Sequence, residues 1–315
     1  MMTVYQRSEG WVSPYHAPVL VARVLEVLQG RGAVLDGTLG GGGHAQALLE
    51  HGAMVTALDR DPQAVIVAAE RLRPYLDADR LRIFAGNYAL LDDIAELAKT
   101  RFDGILLDLG VSSHQLDDNA RGFSFRPGAP LDMRMEDAGE SAAEVLNVTD
   151  EGELSHIFRD YGDEPRARRL AREVVRRRSA RPFRTSDDFV GAIRATLGPR
   201  SGAPDFARLF QAVRIATNNE LTSLAGALPQ LRDRLMADGV IVVISYHSGE
   251  DRIVKNAFRD WSAECICPPR QPVCTCRGRA LGETLTRRGV VPDEVERSNN
   301  PRARSARLRA WRSGG

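Results

Sequence analysis

The sequence predicts an α/β fold: a Rossmann-like, mostly parallel sheet wrapped by helices and carrying an all-helical insertion. That expectation rests on three features. An apolar run, Ala33-Val34-Leu35, meets an acid and a dense glycine cluster, Asp36-Gly37-Thr38-Leu39-Gly40-Gly41-Gly42-Gly43-His44, and a second run from Met54 to Leu58 ends in Asp59. Strand patterns then alternate with helical ones over the first third of the chain, the rhythm of a doubly wound sheet. After Asp117 that rhythm breaks into helical signals, and strand chemistry resumes only at Val240-Ile241-Val242-Val243-Ile244-Ser245.

Each element has a local reason. From Pro18 to Gln29 the residues Val19, Leu20, Val24, Leu25, Val27 and Leu28 follow helical spacing, and Gly30 is a natural stop. Asp61-Pro62 offers an N-cap and a proline at the first helical position, opening a helix through Arg73. Leu81 to Ala85 reads as a short strand, and Asp103 to Leu109 as a nearly continuous apolar strand suited to the sheet centre. Ser141-Ala142-Ala143-Glu144 has capping-box spacing. Pro165 opens a helix in which Ala167, Leu170, Ala171, Val174 and Val175 share one face. A further helix fits Ser186 to Leu197. A helical stretch from about Phe206 to Met236 is expected to break at Pro229, and Ser305 to Trp311 alternates as a final strand.

Composition narrows the class. No apolar stretch approaches the ~20 residues of a membrane span, and Met1 to Gly10 lacks a signal-peptide core. A soluble, cytoplasmic protein without membrane association is therefore expected. The net charge of +1 hides a pattern: of 43 basic residues only Lys99 and Lys255 are lysines. Arginines outnumber acids ten to four from Arg159 to Arg184, and eleven to four from Arg270 to Arg312. Two such segments point to a partner with phosphates, with a pair of solvated helix faces as the lesser alternative.

The glycine cluster between two strands is a place where bare backbone can approach a nucleotide-like ligand. Asp59, at the end of the second strand, suits hydrogen bonds from ribose hydroxyls. Taken alone the unit indicates an adenosine-containing cofactor, and its spacing is only a modest variant of the dinucleotide fingerprint. A second constellation, Asp108 to Asp117, follows the fourth strand beside the switch point of the sheet. There Asp108 is a reactive carboxylate or simply a cap, and Gln115 a ligand contact or a surface amide.

Further blocks follow in order: Arg121-Gly122-Phe123-Ser124-Phe125, Pro130-Leu131-Asp132-Met133-Arg134-Met135, Phe210-Gln211-Ala212-Val213-Arg214-Ile215, Glu250-Asp251-Arg252-Ile253-Val254-Lys255 and Asn300-Pro301-Arg302-Ala303-Arg304-Ser305. With these the chain closely resembles the bacterial 16S rRNA (cytosine-N4)-methyltransferase family, RsmH (formerly MraW), from about Tyr15 to Arg312. The resemblance implies S-adenosylmethionine as cofactor and a class I methyltransferase core over 1–118 and 206–315. It also implies a helical insertion over 119–205 for recognising rRNA. The implied reaction is methylation of the exocyclic N4 of a cytidine in the decoding region of 16S rRNA, either within the small ribosomal subunit or on free RNA. Family cofactor contacts carry over onto Gly42, Gly43, His44, Asp59, Tyr88, Asp108 and Gln115. The family often has phenylalanine where Tyr88 stands, and usually Phe for Tyr246 and Leu for Gly249. The last change loosens a turn beside the expected site. A homodimer is left open.

The donor in such a reaction is already activated, so the protein mainly has to align nucleophile, methyl carbon and sulfur. The cytosine amine is a poor nucleophile, and a hydrogen-bond acceptor on one N–H would help localise its lone pair. Asp108, or a carbonyl in the Gly110 to Ser113 turn, is the candidate acceptor. His247, after the fifth strand, is a second catalytic candidate or a structural histidine. The target base has to be unstacked or unpaired. The arginines from Arg166 to Arg178 and those near the C-terminus would then hold phosphates, with Phe123 and Phe125 stacking on a base or anchoring the insertion. Other readings are methylation of another RNA or of DNA cytosine, or a non-catalytic RNA-binding assembly protein. A nicotinamide-dependent dehydrogenase fits poorly with the downstream blocks.

All four cysteines fall in one window, Cys265-x-Cys267 and Cys274-x-Cys276. In a cytoplasmic protein this argues for reduced thiols or a metal before disulfides. Four thiolates make a closed tetrahedral zinc site of structural type. The Cys-x-Cys spacing is tighter than usual, so an unmetallated loop is the alternative.

Overall fold

Strand β1 (Ala33–Asp36) is an interior strand of a seven-stranded sheet, with buried residues on both of its faces. The computed structural model describes Trp11 and residues 18–136, 138–268, 271 and 273–314. The sheet also contains β2 (Met54–Asp59), β3 (Leu81–Ala85), β4 (Phe102–Asp108), β5 (Leu235–Ser245), β6 (Gly282–Thr284) and β7 (Arg307–Ser313), in the order β3-β2-β1-β4-β5-β7-β6. The first five strands run parallel, while β7 is antiparallel to both β5 and β6.

Alternation along the strands builds two cores. Val34, Val55, Leu106, Val242 and Leu308 join Val24, Leu48, Leu49, Ala68 and Leu72 on one side of the sheet. Their neighbours Leu35, Leu58, Ile105, Leu107, Val243 and Trp311 join Leu224, Leu228, Leu231, Phe258 and Trp261 on the other. A period of two along the strands assigns these residues to opposite faces, so the central strands must be apolar throughout. The helices on the first of these faces are α1 (Val21–Val27), α2 (Gly43–Glu50), α3 (Pro62–Arg71) and the short α4 (Arg73–Asp77). The cap before α3 is as the sequence predicts, with Asp61 accepting from the Gln63 N–H at 3.1 Å.

The chain divides into two compact units, Met1–Gly110 with Leu221–Gly315, and Val111–Glu220. The second unit is helical: α5 (Ser113–Asp117), α6 (Ala142–Val148), α7 (Glu151–His156), α8 (Ala167–Ala180), α9 (Ser186–Leu197) and α10 (Ala203–Thr217). Its core stacks Phe158 on Phe189 at 5.9 Å and sets Phe189 against Phe210 at 5.2 Å. These bounds differ from 119–205 for a physical reason. Phe206, Leu209, Phe210 and Val213 of α10 are buried in this second core, so the helix belongs to it.

Three elements depart from the sequence reading. The break in the long helical stretch falls at Asn218-Asn219, where Asn219 adopts a left-handed φ of 50°, whereas Pro229 sits inside α11 (Glu220–Asp233). Strand β5 begins at Leu235, well before its continuously buried part, which starts at Gly239-Val240. Strand β6 is too short and too polar to carry a periodic signal. After β5 follow α12 (Ser248–Ser262) and α13 (Glu294–Asn299).

Asn218 explains the break. Its side chain donates to the Met133 carbonyl at 2.8 Å and accepts from the Met135 N–H at 2.9 Å, both in buried surroundings. It thereby ties the Leu131-Asp132-Met133-Arg134-Met135 segment to the end of α10. Met133 holds a φ of 58°, a conformation that a non-glycine residue keeps only when its neighbours impose it. Asn218→Ala leaves two buried backbone groups without this partner and should cost about 2–4 kcal/mol. Urea denaturation measures it, and a cost under about 0.5 kcal/mol would remove Asn218 from this role.

Candidate functional site

The chemistry-bearing residues of the sheet unit gather at the carboxyl ends of its parallel strands, where open α/β sheets bind ligands. Asp36 ends β1, Asp59 ends β2 and Asp108 ends β4. The strand order β2-β1-β4 puts these three carboxylates side by side.

The glycine loop is held by these acids. Asp36 accepts from the Thr38 N–H at 3.1 Å. Asp59 accepts from Gly40 N–H at 2.7 Å with one oxygen and from Asp61 N–H at 2.9 Å with the other. The Thr38 hydroxyl accepts from the Asp108 N–H at 2.6 Å, joining the loop to β4. The glycines have different reasons. At Gly42, with φ 76°, an added Cβ would lie 2.8 Å from the Leu72 side chain, and at Gly43 it would lie 2.8 Å from Pro18. These two serve close packing of the helix start. Gly40, with φ 50°, has nothing within 4 Å of that position, so the open face of the loop is there.

Asp36 is fully buried, and burial pushes its carboxyl up to about 7, against the opposing effect of His44. Burial likewise raises Asp59 to about 6, offset by the Asp61 and Gly40 N–H groups, and the residue keeps partial exposure at the strand end. A carboxylate with two oxygens and one N–H on each still has lone pairs for two hydroxyl donors.

His44, near the start of α2, is buried, with Nε2 3.3 Å from Asp108 Oδ2 but poorly aligned for a hydrogen bond. Its Nδ1 and Asp36 Oδ2 have no hydrogen-bond partner among the described residues. Asp108 also accepts from the Tyr246 hydroxyl at 2.8 Å. Burial, and then the charge of Asp108, push the Tyr246 phenol well above its ordinary value, so it remains a donor. Tyr246 is thus a direct partner of the central acid. The Tyr246 N–H in turn donates to Glu250 at 2.8 Å, and His247 Nε2 lies 3.3 Å from the other Glu250 oxygen. His247 is the N-cap of α12, and Gly249 is tight: an added Cβ would meet His247 and Leu221 at 3.1 Å. Tyr88 opens a 3-10 turn after β3, capped by Asn87, and a Cβ added at Gly37 would lie 3.1 Å from the Tyr88 Cβ.

Tyr246, Thr38 and Glu250 were not singled out as site residues by the sequence. A capping-box spacing from His247 to Glu250 is the signal that could have found the last. Asp36 was read as a strand end and is instead a fully buried acid raised further than Asp59.

In the second unit, Gln115 is buried and caps its own helix. Its side-chain oxygen accepts from Ser112 N–H at 3.0 Å, and the Ser112 hydroxyl accepts from Gln115 N–H. The phenylalanines are anchors: Phe123 is buried in the helical core, and Phe125 packs edge-on against Phe206 and Phe210 at 5.8 and 6.0 Å. The arginines of α8 also divide. Arg176 and Arg177 both bind Glu173, whose carboxyl they lower to about 2, and Arg178 donates to the Leu146 and Thr149 carbonyls. Arg168 and Arg169 are exposed, with no side-chain partner among the described residues. No helix of the described residues is long and apolar enough to cross a membrane.

The strand order with a reversed seventh strand inserted beside the fifth is that of the class I methyltransferase fold. A model of the MraW methylase family matches residues 13–313. The chain belongs to the MraW methylase family. Among its relatives, the "Ribosomal RNA small subunit methyltransferase H" of Gemmatimonas aurantiaca is 61% identical over 314 residues, covering 99% of this chain and 100% of the relative. The proteins of the same name from Geotalea uraniireducens and Heliobacterium mobile are 46% and 44% identical, each covering 94% of this chain and 97% of the relative.

The buried acid of this MraW-family chain gives a pH signature. Folded Asp36 keeps its proton up to about pH 7, while an ordinary aspartate loses it near 3.8. The folded state therefore binds the extra proton between those values, and stability falls as pH rises through that window. Asp36→Asn removes the dependence, so its advantage should grow by at most about 1.4 kcal/mol per pH unit and then level off. Urea midpoints at about pH 4.5 and about pH 7.5 check this; equal shifts at both would contradict a protonated Asp36.

Proposed function

We propose that the chain is an S-adenosylmethionine-dependent methyltransferase that modifies the exocyclic N4 of a cytidine in the decoding region of 16S rRNA. The observation that carries the donor assignment is the loop from Asp36 to His44 with Asp59 beside it. Its open face at Gly40 and the unpartnered buried His44 Nδ1 and Asp36 Oδ2 fit a ligand with a ribose and charged polar groups. S-adenosylmethionine would supply an electrophilic methyl group on a sulfonium. The family and the names of the relatives support small-subunit rRNA as the acceptor.

The residues divide the work. Asp59 accepts the ribose hydroxyls through lone pairs left free by Gly40 and Asp61. The Gly40 to Gly43 backbone allows close approach, and its path is held by Thr38 and Asp36. Tyr88 offers an aromatic face for the adenine. Gln115 is assigned to the cofactor by the family resemblance, and its side-chain oxygen caps its own helix. Asp108 is flanked by Tyr246 and His44, which keep the carboxylate in place. An oriented carboxylate accepts a hydrogen bond from the cytosine amine, localises its lone pair and stabilises the positive charge that develops on nitrogen. His247 is set against Glu250 and positions the end of β5. Arg168 and Arg169 are the guanidinium groups of α8 available for RNA phosphates, which orient RNA without reading its sequence.

Methyl transfer from a labelled donor to small subunits, or to their rRNA, from a strain lacking this gene should yield N4-methylcytidine on nucleoside analysis. A labelled product other than N4-methylcytidine, or none, overturns the reading. Asp108→Ala should lower turnover at least ~100-fold; full activity would dismiss it as the acceptor. Arg168→Ala with Arg169→Ala should weaken RNA binding and reduce the slope of log affinity against log salt by about 0.7–0.9 for each phosphate no longer neutralised. An unchanged slope would place the RNA elsewhere.

A further inference from the structure

The cysteine window lies outside the methyl-transfer site, in the connection between α12 and β6. None of its described residues from Ala263 to Leu281 is buried, and none belongs to a helix or strand. Ile266 and Val273 are among the exposed large apolar residues. Such a segment has no core of its own to offset the conformational entropy of an ordered path. Yet all four sulfurs converge, each within 4.8 Å of every other.

The spacing of the sulfurs is informative. Cys265–Cys274 and Cys276–Cys265 are 3.8 Å apart, Cys267–Cys274 is 3.9 Å and Cys274–Cys276 is 3.5 Å. A disulfide needs about 2.05 Å, so no pair is bonded, and all four cysteines are free. A tetrahedron of sulfurs at about 2.3 Å from a central zinc has edges of about 3.8 Å. The backbone adds what a thiolate cluster needs. The Ile266 N–H donates to Cys276 Sγ at 3.4 Å, so one sulfur is already met by a peptide donor. Donors of this kind stabilise negative sulfur and orient it.

We propose that Cys265, Cys267, Cys274 and Cys276 form a tetrathiolate site for one zinc ion, which orders the connection between α12 and β6. Binding needs no oxidant or reductant: the thiols release their protons to solvent as four Zn–S bonds form. The site is closed, because all four positions are protein sulfurs, so its role is structural rather than catalytic. Its ends are anchored. Arg277 donates to the Ala263 carbonyl at 3.0 Å and to the Asp260 carbonyl at the end of α12, and the Leu281 N–H donates to Trp261 O at 2.8 Å. The metal would tie the middle of the segment as these contacts tie its ends. It thereby steadies β6, which is the sheet edge paired with β7.

Metal analysis of the full-length reduced protein should find one zinc per chain, released when a mercurial blocks the thiols. Anaerobic titration of the metal-free chain with Co(II) should produce the visible bands and sulfur-to-metal charge transfer of a tetrahedral tetrathiolate, saturating at one equivalent. Cys274→Ser with Cys276→Ser should abolish both zinc binding and the cobalt spectrum while leaving the far-ultraviolet circular dichroism unchanged. The metal-free chain and this variant should be cut by trypsin at Arg277 or Arg279 at least ~10-fold faster than the zinc-loaded protein, since cleavage follows the open population. Absence of the cobalt spectrum in a folded chain overturns the proposal. So does recovery of the four sulfurs as disulfides from protein handled anaerobically, or an iron chromophore in place of zinc.

Discussion

Three carboxylates crowd the ends of three neighbouring parallel strands, and the geometry of the site follows from how their charge is accommodated. Asp59, Asp36 and Asp108 end β2, β1 and β4, and the sheet order makes them neighbours. Carboxyl groups in a buried place are costly to ionise, and the structure meets the cost by two means. Backbone N–H groups from Thr38, Gly40 and Asp61 solvate Asp36 and Asp59, while Tyr246 and His44 attend Asp108. Burial still raises Asp36 to about 7, against the opposing effect of His44, and the charges of Asp108 and Asp59 add only a lesser push. The glycine loop is therefore not merely permissive backbone. Its amide groups are the counter-dipoles that let Asp36 and Asp59 sit beside Asp108 at the carboxyl ends of the strands.

The same arrangement couples the ends of β4 and β5. Tyr246 donates its hydroxyl to Asp108 and its backbone N–H to Glu250, so a residue after β5 sets the orientation of an acid ending β4. Glu250 then braces His247 and the start of α12. In the helical unit the equivalent organiser is Asn218, which satisfies both sides of the Met133 to Met135 turn where α10 ends. Arginines there divide into those that hold the unit together, such as Arg178 on two carbonyls, and those that are exposed.

Much of this was legible in the residues. The apolar runs marked out five parallel strands and a final strand, because a strand buried on both faces has few alternatives in composition. The antiparallel direction of the last is shown only by its pairing with β5. Asp36, the glycines, Asp59 and Asp108 were visible as strand ends followed by turns. The roles of Gly42 and Gly43 were not, since their demand comes from Leu72 and Pro18, which are distant in sequence or unrelated by any local period. Phe123 and Phe125 looked equally suited to stacking on a base, and only the core of the second unit shows them as anchors.

The class of fold, the acids at the strand ends, the family and the clustering of four cysteines are all written in the order of the residues. They follow from local spacing, where periodicity, turn residues and short motifs carry the information. Packing alone assigned the partners of those residues. Tyr246 meeting Asp108, Asn218 holding Met133 and Met135, α10 joining the helical core, and four sulfurs at tetrahedral separations are all contacts fixed by how distant segments fold together. No local pattern encodes them, because a side chain's partner across a core is set by the register and crossing of whole elements.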